Sequence, residues 1–87
     1  MDAQSSYILR SLADATRCAT RLVREGYTII SVHLGNRRPR IVIERSARCA
    51  RLHGAMAVRI HDAGGRKQIY TADLEDCQIQ WTEEGAA

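Results

Sequence analysis

The chain of 87 residues contains no phenylalanine, one tryptophan and three tyrosines. Its core must therefore be built from Ile, Leu, Val and Ala, and a nucleic-acid platform of stacked aromatic rings has little to draw on. Only Tyr27 and Tyr70 stand as candidates for exposed rings. No apolar run approaches the ~20 residues that cross a bilayer. The start, Met1-Asp2-Ala3-Gln4-Ser5-Ser6, lacks a basic segment followed by an apolar one, so no secretory signal is expected and the reading places the chain in the cytoplasm of a bacterial host. Glycine pairs only at Gly64-Gly65, which fits neither the Walker-type nor the dinucleotide-binding glycine pattern. Lysine occurs once, at Lys67.

Cysteine is scarce and odd in number: Cys18, Cys49 and Cys77. A small secreted disulfide scaffold carries an even, denser set, so reduced, part-buried thiols are expected. For metal, only Cys49 and His53 stand at a close spacing, without the second pair that a structural zinc site needs, and no metal or cofactor is expected. The same Cys49 and His53 are the sole hint of nucleophilic chemistry, without a signalled orienting group or oxyanion donor. Asp73, Glu75 and Asp76 cluster, but acid–base work would require one of them desolvated, and an exposed acidic turn is the plainer reading. The chain is not expected to be an enzyme.

What is abundant is arginine: twelve of thirteen basic residues. Between Arg10 and Arg59 eleven Arg face three acids, whereas five acids and no base follow Lys67. In linear order the molecule has a basic part and an acidic end. Arg10, Arg17, Arg21 and Arg24 fall within a stripe about 80° wide on a helix, with Asp14 among them. Ile8, Leu12, Ala15, Ala19, Leu22 and Val23 fall opposite, predicting one amphipathic helix over 5–25, capped by Ser5 or Ser6 and stopped at Gly26.

Alternation predicts strands over 27–34, 40–45, 55–62, 67–72 and 77–82. Gly35-Asn36-Arg37-Arg38-Pro39 and Gly64-Gly65 supply turns, and Ser46 to Gly54 reads as coil or one short helical turn. The expected fold is a single α+β domain, residues 1–87: one N-terminal amphipathic helix packed on an antiparallel sheet of about five strands, in the order of an αβββββ meander. Tyr27, Ile29 and Val42 are expected together on the face away from the helix, flanked by Arg40 and His33.

The cationic residues form two sets. Arg37, Arg38 and Arg40 at the hairpin tip, with Arg45, Arg48 and Arg51 in the following loop, are the expected partner-binding set; Arg10, Arg17, Arg21 and Arg24 are a second basic face. A solvated helix face and a mobile turn tip would account for the same residues without function. The acidic group Asp73, Glu75 and Asp76 is an alternative contact, since carboxylates can mimic phosphate. A free cationic flank requires that these guanidiniums are not tied up by the C-terminal carboxylates.

Gly26-Tyr27-Thr28-Ile29-Ile30-Ser31-Val32 after a short helix, the return strand Arg38-Pro39-Arg40-Ile41-Val42-Ile43-Glu44 and the closing Cys77-Gln78-Ile79-Gln80-Trp81 resemble small accessory proteins of phages and prophages, a group that includes the anti-CRISPR proteins. The resemblance spans Leu9 to Trp81. It implies a non-enzymatic blocker that docks on a host protein or nucleoprotein complex, and it carries over no functional residue. A nucleic-acid-binding regulator using the arginine surfaces is the alternative, and a second copy of the chain stays open as a partner.

Overall fold

The computed structural model describes residues 2–35, 38–52, 56–62 and 65–84, with backbone alone at 56–62, 65–66 and 84. The elements run α1 (Ala3–Arg24), β1 (Ile29–His33), β2 (Arg40–Ile43), a 3-10 turn (Ala47–Arg51), β3 (Met56–Asp62), β4 (Gly65–Leu74) and β5 (Cys77–Glu84). The helix starts earlier than predicted because Asp2, not Ser5 or Ser6, is the cap. Its carboxylate accepts from the Ser5 amide at 2.7 Å, satisfying one orphan N–H of the first turn.

The helix ends in a Schellman arrangement. The Tyr27 amide donates to Leu22 O at 2.9 Å and the Gly26 amide to Val23 O at 3.1 Å, with Gly26 at φ +92°. Tyr27 and Leu22 both enter the core, which supplies the apolar contact that accompanies this motif.

The sheet is mixed, not an antiparallel meander. Its order is β1-β2-β5-β4-β3, with β5 inserted between β2 and β4 and parallel to β2. The other pairings are antiparallel. The meander does not form because the segment between Ile43 and Met56 is not a short link. That segment is long enough to carry the chain across the sheet to the far edge before β3 begins. The gap is filled by β5, the strand whose inward residues Cys77, Ile79 and Trp81 are all buried. A central position covers such a strand on both sides.

β1 begins later than predicted and carries a bulge between Ile29 and Ser31. The extra residue shifts the alternation by one, so Ile29 pairs with Ile43 and Val32 with Ile41. The expected apolar group away from the helix does not form. Tyr27 is buried, Ile29 packs against the core, and Ile30, Val32 and Leu34 are instead exposed, Ile30 the most at 64 %.

The core joins Cys18 and Leu22 of α1 to Ile41 and Ile43 of β2, Ala72 and Leu74 of β4, and Cys77, Ile79 and Trp81 of β5, with Tyr27 and Cys49 at its margin. The roll of the helix also differs from the sequence reading. Ser11, Ala15, Cys18 and Leu22 are the buried stripe, while Ile8, Leu12 and Val23 are exposed. In this roll the Cys18 thiol reaches Leu74 O at 3.4 Å and Arg17 and Arg21 reach the β4–β5 turn. The three cysteines are free and buried.

Two buried acids make an alkaline limit. Burial pushes the Tyr27 hydroxyl above its usual value of 10.0, and burial, with a hydrogen bond that the Cys77 S–H gives to Cys18, raises the Cys77 thiol above 9.0. A raised folded value means stability is complete below the unfolded value and is lost as pH climbs toward the folded one. Thermal midpoints should hold up to pH near 9 and fall from there through 10 and above, and a flat profile between pH 8 and 11 would contradict the burial of these groups.

Candidate arginine cleft

The Schellman turn sets up the site. It delivers Tyr27 inward, and the Tyr27 hydroxyl donates to Arg48 O at 2.6 Å, tethering the 3-10 turn to the end of α1. The Arg48 guanidinium then crosses Gly26, where a Cβ would stand 2.9 Å from its Nε, and donates to Glu25 O at 3.2 Å. This bond satisfies a carbonyl at the negative end of the helix dipole. The result is a cleft lined by Arg21 and Arg24 from the helix and Arg48 and Arg51 from the 3-10 turn. Tyr27, Leu52 and Leu74 supply apolar wall, and Glu25 and Asp73 supply carboxylates.

Two sequence sets that looked separate thus converge: the C-terminal part of the helix stripe and the end of the loop set. Spacing alone gave one usable signal. Arg48 and Arg51 stand three apart, so a single helical turn points both to one side. The missed contributors are Gly26 and Tyr27, whose roles depend on a contact between distant segments.

The remaining cations are distributed differently. Arg17 pairs with Asp14 and with Asp76 at 3.5 Å and Glu75 at 3.7 Å; Arg21 pairs with Glu75 at 3.4 Å and Glu25 at 3.5 Å. Arg38 holds Asp73 at 2.6 Å and Arg45 holds Glu83 at 3.4 Å. The basic part and the acidic end of the linear sequence are therefore interleaved in space, and the separate flank does not exist at Arg17, Arg21, Arg38 and Arg45. These pairs are surface pairs, with arginine side chains 46–67 % exposed, and each is worth about 0–1 kcal/mol. Their guanidiniums stay reachable by a competing anion.

Among the described residues Arg10, Arg24, Arg40, Arg48 and Arg51 form no ion pair. Arg40 stands opposite His33 on the β1–β2 ladder, remote in register from the helix end. Arg37 lies outside the described residues.

The acidic group is a tight turn rather than a free patch. Glu75 takes φ +53° at the first position of the two-residue loop between Leu74 and Cys77, a conformation favouring glycine, and its carboxylate is held by Arg17 and Arg21. Tyr70, offered as an exposed ring, is half-buried and stacked on Trp81 at 5.4 Å. Cys49 is buried, and its expected companion His53 lies outside the described residues. The described residues hold no cluster of three metal-ligating side chains, and no described helix is long and apolar enough to cross a membrane.

Fold and cleft together define a small α+β domain with an arginine-lined groove between a helix terminus and a short turn. The phage character suggested by its sequence has independent support: the chain belongs to the Kil protein family, a family of phage-encoded proteins, whose model matches residues 8–82. No curated protein and no solved structure matches it.

Proposed function

We propose that this phage accessory protein is a non-enzymatic inhibitor that docks on a host protein or nucleoprotein complex through the arginine cleft, taking a carboxylate-bearing segment of its target between Arg24 and Arg51. The anti-CRISPR type of target, a nucleoprotein complex, falls within that class. The reading rests on one observation: two guanidiniums without an acidic partner among the described residues flank a groove with an apolar wall at Tyr27 and Leu52. Arginine in a partly desolvated groove recognises a planar carboxylate by paired hydrogen bonds, and the apolar wall adds contact area beside it.

Tagged protein should capture one host partner from lysate, and the double variant Arg24→Glu/Arg51→Glu should lose that capture. Its thermal midpoint should stay near that of the parent, because exposed substitutions usually change stability by no more than about 0.5 kcal/mol. Undiminished capture by the double variant would remove the cleft from consideration. Nucleic acid is separated by a gel shift at two salt concentrations. Binding to naked nucleic acid that collapses with salt would favour the regulator reading instead.

A further inference from the structure

The three cysteines divide into a pair and a single residue. Cys18 on α1 and Cys77 at the start of β5 are both fully buried and belong to one core cluster. Each thiol reaches the backbone beside the other. The Cys18 S–H donates to Leu74 O at 3.4 Å, and Leu74 is the residue that pairs with Cys77 across the β4–β5 turn. The Cys77 S–H points at Asp14 O at 3.5 Å, the carbonyl one helical turn before Cys18. Both sulfurs therefore occupy one gap between α1 and the turn, and the Cys77 S–H also reaches the Cys18 sulfur. Cys49 stands apart on the 3-10 turn, its thiol aimed at Glu44 O at 4.0 Å.

We propose that Cys18 and Cys77 are a disulfide-forming pair, a covalent modification site that ties α1 to the β4–β5 turn when a low-molecular-weight disulfide such as oxidised glutathione is present. The bond forms by two exchanges. One thiol gives up its proton, and its sulfur attacks oxidised glutathione, forming a mixed disulfide and releasing one glutathione thiolate. The second sulfur, likewise deprotonated, attacks the protein sulfur of that mixed disulfide, and the second glutathione thiolate leaves. The two protons end on the two glutathiones. Two protein thiols lose two electrons in all, and one glutathione disulfide takes them up. The native fold favours the second exchange, because it holds the two sulfurs side by side although 59 residues separate them in sequence. The first exchange requires the turn to lift, since both thiols are shielded from solvent. Arg17 and Arg21 fasten that turn through Glu75 and Asp76, in exposed pairs that open at little cost. Once formed, the bond fixes α1 against the strand end that brings Asp73 and Leu74 to the cleft beside Arg21 and Arg24.

The test has two arms. In the first, the chain is refolded from urea in a buffer of reduced and oxidised glutathione, where access does not limit exchange, and free thiols are then blocked with N-ethylmaleimide. The main product should take up a blocking group at Cys49 alone and release, on digestion, a peptide pair joined through Cys18 and Cys77. In the second arm, folded protein meets oxidised glutathione directly. The same bond should form, faster as pH rises and the thiolate fraction grows. The oxidised protein should melt at least ~10 °C above the reduced one, because the bond closes a long loop in the unfolded chain. Cys49→Ser should leave the bond in place, and Cys77→Ser should stop at a mixed disulfide with glutathione. A main product bonded through Cys49, a spread over all three pairings, or a bond that lowers the midpoint would overturn the proposal. Three blocked thiols in both arms would overturn it too.

Discussion

Trp81→Ala should unfold most of the protein's usable stability. The indole is 2 % exposed on the central strand β5, stacked nearly parallel on Tyr70 at 5.4 Å, with its Nε1 donating to Glu83 at 3.1 Å. With no phenylalanine in the chain, no other side chain of that volume can move in to fill the space. Truncating a buried Trp costs about 3–5 kcal/mol, transfer loss and residual cavity together. A domain of this length holds about 4–13 kcal/mol in all. The midpoint should drop by at least ~15 °C, read by far-ultraviolet circular dichroism because the variant has no tryptophan left to report. Leu12→Ala, on the exposed helix face, should move it by no more than a few degrees. A small drop for Trp81→Ala would mean that β5 is not the central strand.

The second large effect is at Gly26, where stability and the cleft meet. Gly26→Val places a β-branched residue at φ +92°, outside the region such residues adopt, at a cost on the order of 2 kcal/mol or more. The new Cβ also stands 2.9 Å from Arg48 Nε, so the guanidinium must leave its place over the helix end and give up its bond to Glu25 O. Gly26→Asn separates the two consequences. Asparagine tolerates a left-handed backbone, so the midpoint should fall less, yet its Cβ displaces Arg48 equally. Weakened partner capture by Gly26→Asn at a near-parental midpoint would show that the position of Arg48 matters for docking. Equal midpoints for the Val and Asn variants would contradict the left-handed turn.

These two residues also mark how much was legible beforehand. Gly26 as a helix stop could be read locally, because a C′ glycine follows from backbone sterics alone. That Arg48 would lie across it could not, since 21 residues separate Tyr27 from the carbonyl that its hydroxyl engages. Alternation identified Cys77, Ile79 and Trp81 as inward residues of one strand. It could not place that strand between β2 and β4, because periodicity records which side of a strand is apolar and says nothing about its neighbours. β1 differs for a related reason: alternation says which residues share a face and not which face meets the helix, so Tyr27 and Ile29, ahead of the bulge, lie inward while Ile30 and Val32 are exposed.

Charge shows the same division. The count of arginines and their stripe on α1 are properties of the sequence and survive in the structure. Whether each guanidinium is free is a matter of distance between segments remote in the chain. The roll of α1 and the β4–β5 turn bring Arg17 and Arg21 to Glu75, the start of β2 brings Arg38 to Asp73, and Arg24 and Arg51 are left beside the cleft.

By itself the sequence determined an α+β chain with an amphipathic helix, an aliphatic core and an arginine-rich surface, because those follow from periodicity, capping chemistry and composition, each acting over a few residues. The strand order, the helix roll and the pairing of charges were decided only by tertiary packing. A mixed sheet joins segments by hydrogen bonds and contacts whose distances no local pattern encodes.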